Sequence, residues 1–99
     1  MRNHTKLYLK SLGYDLSDFI PSELSGAKAI DIHHIIGRGK KGEDRIENLM
    51  ALTREEHIKH GDKKHDMKML LIRHRLFLQE NGVKFDNNWF IEQIKRYEG

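Results

Sequence analysis

Apolar positions along the chain fall into five groups separated by polar or glycine-bearing stretches. In HTKLYLKSL, Leu7, Leu9 and Leu12 stand among lysines, which predicts a short helix stopped by Gly13. IPSELSGAK holds the only proline, two serines and a glycine, a composition suited to a loop or tight knuckle. AIDIHHII alternates Ile30 and Ile32 with Asp31 and His33 and is rich in β-branched residues, so it reads as a strand in which His33 and His34 point to opposite faces. GRGKKGED carries three glycines and must be a loop, and NLMAL is a second short apolar run that returns beside the first, making an antiparallel hairpin.

TREE at residues 53 to 56 fits a capping box, with Thr53 as N-cap and Glu56 reaching back to the cap's backbone N–H, so His57 lies in the first turn of a helix. That helix is expected to run on towards Gln79, with Gly61 and Asp62 as a place to kink and Asn81-Gly82 as its end. Met69, Ile72 and Leu76, with Leu70 and Phe77 beside them, form its expected apolar stripe. DNNWFIEQIKRY predicts a last helix, capped near Asp86 or Asn87, that turns Trp89, Phe90 and Ile94 inward. The fold class expected is α+β, a hairpin and helix flanked by N- and C-terminal helices.

Ninety-nine residues suffice for one modest core, and no repeat or linker divides them, so residues 1–99 are expected to form a single domain. No apolar run approaches the about 18 to 20 residues of a membrane span, and the N-terminus lacks a secretory h-region. The expectation is a protein of the cytoplasm with no membrane partner. With no cysteine, neither a disulfide nor a thiolate zinc site can form. The net charge of +3 is a mild pointer to an anionic partner; its distribution says more, because Arg38, Lys40, Lys41 and Arg45 cluster in the glycine loop. Glu43, Asp44 and Glu47 partly offset them, so the loop reads either as a phosphate contact or as a solvated charge cluster.

Five of the seven histidines lie between residues 33 and 65. Neutral imidazole is a common ligand for divalent metals, and a strand together with a helix start can aim several at one point. Spacing alone leaves His33, His34, Asn48 and His57 open between such a site and ordinary polar residues; His4, His65 and His74 read as surface or hydrogen-bonded histidines.

DIHHI, a basic glycine loop, ENLMAL and REEH, in that order, closely resemble the HNH nuclease family, small phage-type members in particular. The resemblance spans about residues 28 to 62, about a third of the chain. It implies the ββα-metal fold, in which a hairpin and a helix surround one divalent cation (Mg, Mn, Ni or Zn), and a metal-dependent endonuclease or nickase that hydrolyses DNA. DNA is then the implied partner, with phage packaging proteins beyond it and host cytoplasm as the setting. Residue by residue, it makes His34 the general base, His33 and His57 metal ligands, and Asn48 the family asparagine, which binds the metal in some members and fixes the loop in others. Physical chemistry agrees with these roles, since a histidine pKa of about 6.5 suits deprotonation of water near neutral pH. Asp31, two residues before His33, reads either as an orienting group or as an exposed carboxylate.

Two departures from the family pattern stand out. Relatives with the histidine doublet often carry a further ligand four residues after the one matching His57, where this chain has Gly61. His60 is the nearest substitute, since helix positions three apart lie about 60° from each other, and it reads as a third ligand or as a solvated residue. Many members also carry Cys-x-x-Cys before the first strand. Ser22 and Ser25 show that spacing without thiols, so the knuckle is expected to be metal-free and held by packing. A non-catalytic nucleic-acid-binding module and a purely structural α+β domain are the rival expectations.

Overall fold

The structure, a computed structural model, describes residues 1–40 and 42–98. These form α1 (Asn3–Leu12), β1 (Asp31–His34), β2 (Leu49–Leu52), α2 (Arg54–His60), α3 (Met67–Glu80) and α4 (Asn87–Arg96), with single 3-10 turns at Arg38–Lys40, Ile46–Asn48 and Lys64–Asp66. The class is α+β, and the predicted hairpin is present: β1 and β2 pair antiparallel, with His33 opposite Met50 and His34 opposite Leu49. No helix among the described residues is long and apolar enough to cross a membrane.

All four residues of β2 are buried because the strand is covered on both faces. Leu49 and Ala51 pack with Tyr8 of α1, whereas Met50 and Leu52 join Met67, Leu70, Leu71 and Leu78 of α3 and Trp89 and Phe90 of α4. α1 ends where Gly13 takes a left-handed conformation (φ 74°), as its position after Leu12 predicted. Asp86 caps α4, accepting from the amides of Asn88 and Trp89.

The long helix expected after Thr53 is instead two helices. The capping box forms as predicted, but α2 stops at His60; Gly61 is extended (φ −62°, ψ 136°) and Asp62 is left-handed (φ 62°). Gly61 lies so close to the preceding turn that a Cβ there would stand 2.4 Å from the His57 carbonyl oxygen and 2.6 Å from the His57 ring. The break is therefore built into the packing of His57.

The apolar stripe of α3 is also phased differently from expectation. Its buried residues are Met67, Leu70, Leu71, His74 and Leu78, spaced three, one, three and four apart, while Ile72 and Leu76 are exposed. The centre of the buried face is a histidine. His74 is fully enclosed because both nitrogens are satisfied: Nε2 donates to the Ile46 carbonyl and Nδ1 pairs with Glu23, each at 2.6 Å. Tyr8 donates to the other oxygen of Glu23 at 2.7 Å, so one buried carboxylate ties α1, the knuckle and α3 together.

Hydrogen bonds, and not packing alone, fasten the knuckle. The Ser22 hydroxyl donates to Glu56 of α2 and accepts from the amides of Leu24 and Ser25. Glu56 thus serves the capping box and the knuckle at once.

Candidate functional site

Alternation along β1 sends its two histidines to different helices. The His33 ring packs on His57 of α2 and the His34 ring on His4 of α1, each pair with centroids 4.5 Å apart. Both pairs line one cleft of about 670 Å³, together with Arg2, Ile32, Gly37, Arg38 and Asp62. The helix that begins after the hairpin and the helix that opens the chain thereby bring four histidines to one concavity.

His33 is buried (4% exposed), and its Nε2 has no hydrogen-bond partner among the described residues. Burial, reinforced by the neighbouring His57, pushes its pKa down to about 4, so the ring is a neutral imidazole near pH 7. His57 is oriented from behind: its Nδ1 lies 3.1 Å from Asp31 Oδ2, and donation there leaves the Nε2 lone pair free. Arg54 donates to both oxygens of Asp31, at 2.9 and 3.2 Å. Burial alone would raise the Asp31 pKa, but the Arg54 and His57 hydrogen bonds hold it below the usual carboxylate range. Of the two readings of Asp31, the orienting one describes what the residue touches.

His34 has a different partner. Its Nε2 stands 2.6 Å from Asp44 Oδ1, and Arg38 Nη2 contacts both oxygens of the same carboxylate at 3.1 and 3.0 Å. The hydrogen bond from His34, then that from Arg38, keeps Asp44 ionised to lower pH than an ordinary carboxylate. With Nε2–H donating to Asp44, a neutral His34 carries its lone pair on Nδ1.

Asn48 is fully buried and fixes the loop. Its Oδ1 accepts from the Ile36 amide at 2.8 Å, and its Nδ2 donates to the carbonyls of Ile36 and Glu43, both at 3.0 Å. These bonds use the side chain's oxygen and both its N–H groups, and they hold the ends of the loop that carries Arg38 and Asp44. Gly42 completes the closure: its amide donates to the Gly37 carbonyl, and a Cβ at this position would lie 1.7 Å from the Ile36 oxygen.

The remaining candidates stand elsewhere. His60 does not line the cleft; its Nδ1 pairs with Asp66 Oδ2 at 3.0 Å, where exposed His65 also points. Arg38 lines the histidine cleft, but Lys40 and Arg45 line a second hollow against α4. There Arg45 bonds to Glu47 at 2.9 Å, lies 3.5 Å from Asp86 and covers the Trp89 ring at 5.5 Å, so it is committed to internal partners. Lys41 lies outside the described residues.

Sequence reasoning missed His4 and Asp62, which line the cleft, and Asp44, which holds His34. His4 carries no local signal, since only the docking of α1 on the hairpin brings it to His34. Asp44 had one: a carboxylate ten residues after the doublet, in a loop short enough to fold back. His4, His34 and Asp44 each place one donor atom within 4.8 Å of the others, the one such group of three or more histidine or acidic side chains among the described residues. Compared with known protein families, curated proteins and solved structures, the chain matches none.

Proposed function

We propose that the chain is a divalent-metal-dependent endonuclease or nickase of the HNH type, its hairpin and α2 forming a ββα-metal core that hydrolyses DNA phosphodiester bonds. The observation that carries this reading is the unpartnered Nε2 of buried His33, set against a His57 whose free nitrogen also faces away from its carboxylate. A buried polar atom without a partner costs about 1–3 kcal/mol, a cost that a cation would offset, and imidazole nitrogens suit a borderline ion. His33 and His57 are thus the residues that would hold the ion, with water completing its shell.

When bound, the ion supplies positive charge to stabilise the phosphorane and the leaving 3′ oxygen. The chain's own residues do the rest. His34 accepts a proton from water at Nδ1 as the oxygen attacks phosphorus, and Asp44 on Nε2 holds the ring and stabilises the imidazolium that results. Arg38, 63% exposed by side chain at the rim, offers its remaining N–H groups to a backbone phosphate. Asn48 keeps the loop closed so that Arg38 and Asp44 stay opposite His34.

Supercoiled plasmid incubated with the protein and magnesium, manganese, nickel or zinc tests the proposal. Conversion to nicked or linear DNA that a chelator abolishes is the expected result. Plasmid that is bound but stays supercoiled with every ion would contradict the enzyme and favour the non-catalytic nucleic-acid module.

A further inference from the structure

The geometry points to a second transition-ion site at the His4–His34 wall of the cleft, formed by His4, His34 and Asp44, whose filling withdraws His34 from proton transfer. The site stands on geometry alone; its effect on cutting rests on the proposed nuclease reading. Three donor atoms, two imidazole nitrogens and a carboxylate oxygen, lie within 4.8 Å of one another. Nitrogen and carboxylate donors of this kind suit zinc or its congeners. An independent observation joins them: His4 is 93% buried, and its Nδ1 has no hydrogen-bond partner among the described residues. α1 therefore presses a polar ring against His34 at 4.5 Å without satisfying it.

The group is close to what an ion requires. Metal–donor bonds of about 2.0–2.1 Å at tetrahedral angles separate neighbouring donors by about 3.3 Å. His34 Nε2 and Asp44 Oδ1, now 2.6 Å apart, must open by about 0.7 Å and exchange a shared proton for the ion. An ion on Nε2 leaves the proton of neutral imidazole on Nδ1, the atom that would otherwise accept from water. Arg38 opposes the ion, because its guanidinium already neutralises Asp44, but its side chain is mostly exposed and free to swing away. The same cleft would then be activated by an ion at His33 and His57 and silenced by a second ion across it.

Cobalt titration of the full chain, followed by visible absorbance and calorimetry, tests the site without DNA. The wild type should take up two ions. Asp44→Asn, a near-isosteric change in a loop, should weaken the second ion by at least about tenfold, the lower end of what losing even a ligand's outer partner costs. His4→Gln should do the same, and Arg38→Gln should tighten the second ion. A single ion in the wild type, or a second ion whose affinity neither Asp44→Asn nor His4→Gln changes, overturns the site. In manganese-supported plasmid cutting, added zinc should inhibit the wild type and spare His4→Gln; cutting indifferent to zinc while two ions bind overturns the silencing. Two ions bound with no cutting under any metal would instead sink the nuclease reading and leave the site standing.

Discussion

On one wall of the cleft His33 meets His57, with Asp31 on the Nδ1 of His57 and an unpartnered Nε2 on His33; on the other, His34 meets His4 and gives its Nε2 to Asp44. Both walls use one histidine from β1 and one from a helix, at the same ring separation. What separates them is which ring nitrogen the acid takes. An acid on Nδ1 fixes the tautomer and leaves Nε2 as a ligand, whereas an acid on Nε2 leaves Nδ1 to accept a proton. Adjacent residues of one short strand are thereby given different chemistry by what packs against each face.

Breaking the ligand wall should have the largest effect. His33→Ala and His57→Ala should each lower ion affinity there, and cutting with it, by about 100-fold or more, since each removes one of two protein donors. Calorimetry with both affinities unchanged would remove the ion from this wall.

Next comes the support of the opposite wall. Asn48→Ala deletes three hydrogen bonds, two of them buried, and leaves the Ile36 amide and two carbonyls without these partners, so thermal denaturation should show a loss of about 2–4 kcal/mol. Ion uptake at His33 and His57 should survive in the folded fraction, because Asn48 is fully buried and does not line the cleft. A loss of stability below about 1 kcal/mol would mean the loop is held by other means.

Gly61→Ala acts on the ligand wall through sterics. Its Cβ would collide with the His57 carbonyl and ring, and overpacking of this kind costs about 1–3 kcal/mol. A histidine placed at 61 to restore the family's further ligand meets the same collision, so it should weaken ion binding and not strengthen it. Improved binding on Gly61→His would show that the chain leaving α2 is free to move.

The smallest effect runs in the opposite direction. His33→Leu keeps the volume and removes the unpartnered nitrogen, so the metal-free protein should gain about 1 kcal/mol while losing its ion. A lower melting temperature without metal would show that His33 is satisfied.

Much of the fold was legible because it rests on local rules: Gly13 ends α1, Thr53 and Glu56 start α2, Asp86 starts α4, and two β-rich runs around a glycine loop make the hairpin. Failures came where a polar residue is buried by partners distant in sequence. His74 reads as either a surface or a hydrogen-bonded histidine until Glu23 and Ile46, 51 and 28 positions away, enclose it, and with it goes the phase of the α3 stripe. The site divides in the same way. His33, His34 and His57 lie within one motif, but His4 enters only through the docking of α1, and His60 turns to Asp66 because the chain breaks at Gly61.

The claim that the two walls hold different chemistry is tested most directly by His34→Ala, assayed in parallel for ion binding and plasmid cutting. The ion at His33 and His57 should bind within a few-fold of wild type while cutting falls by about 10²–10⁴-fold, the usual contribution of a positioned base. Cutting that persists at the wild-type rate, or loss of that ion together with cutting, would contradict it.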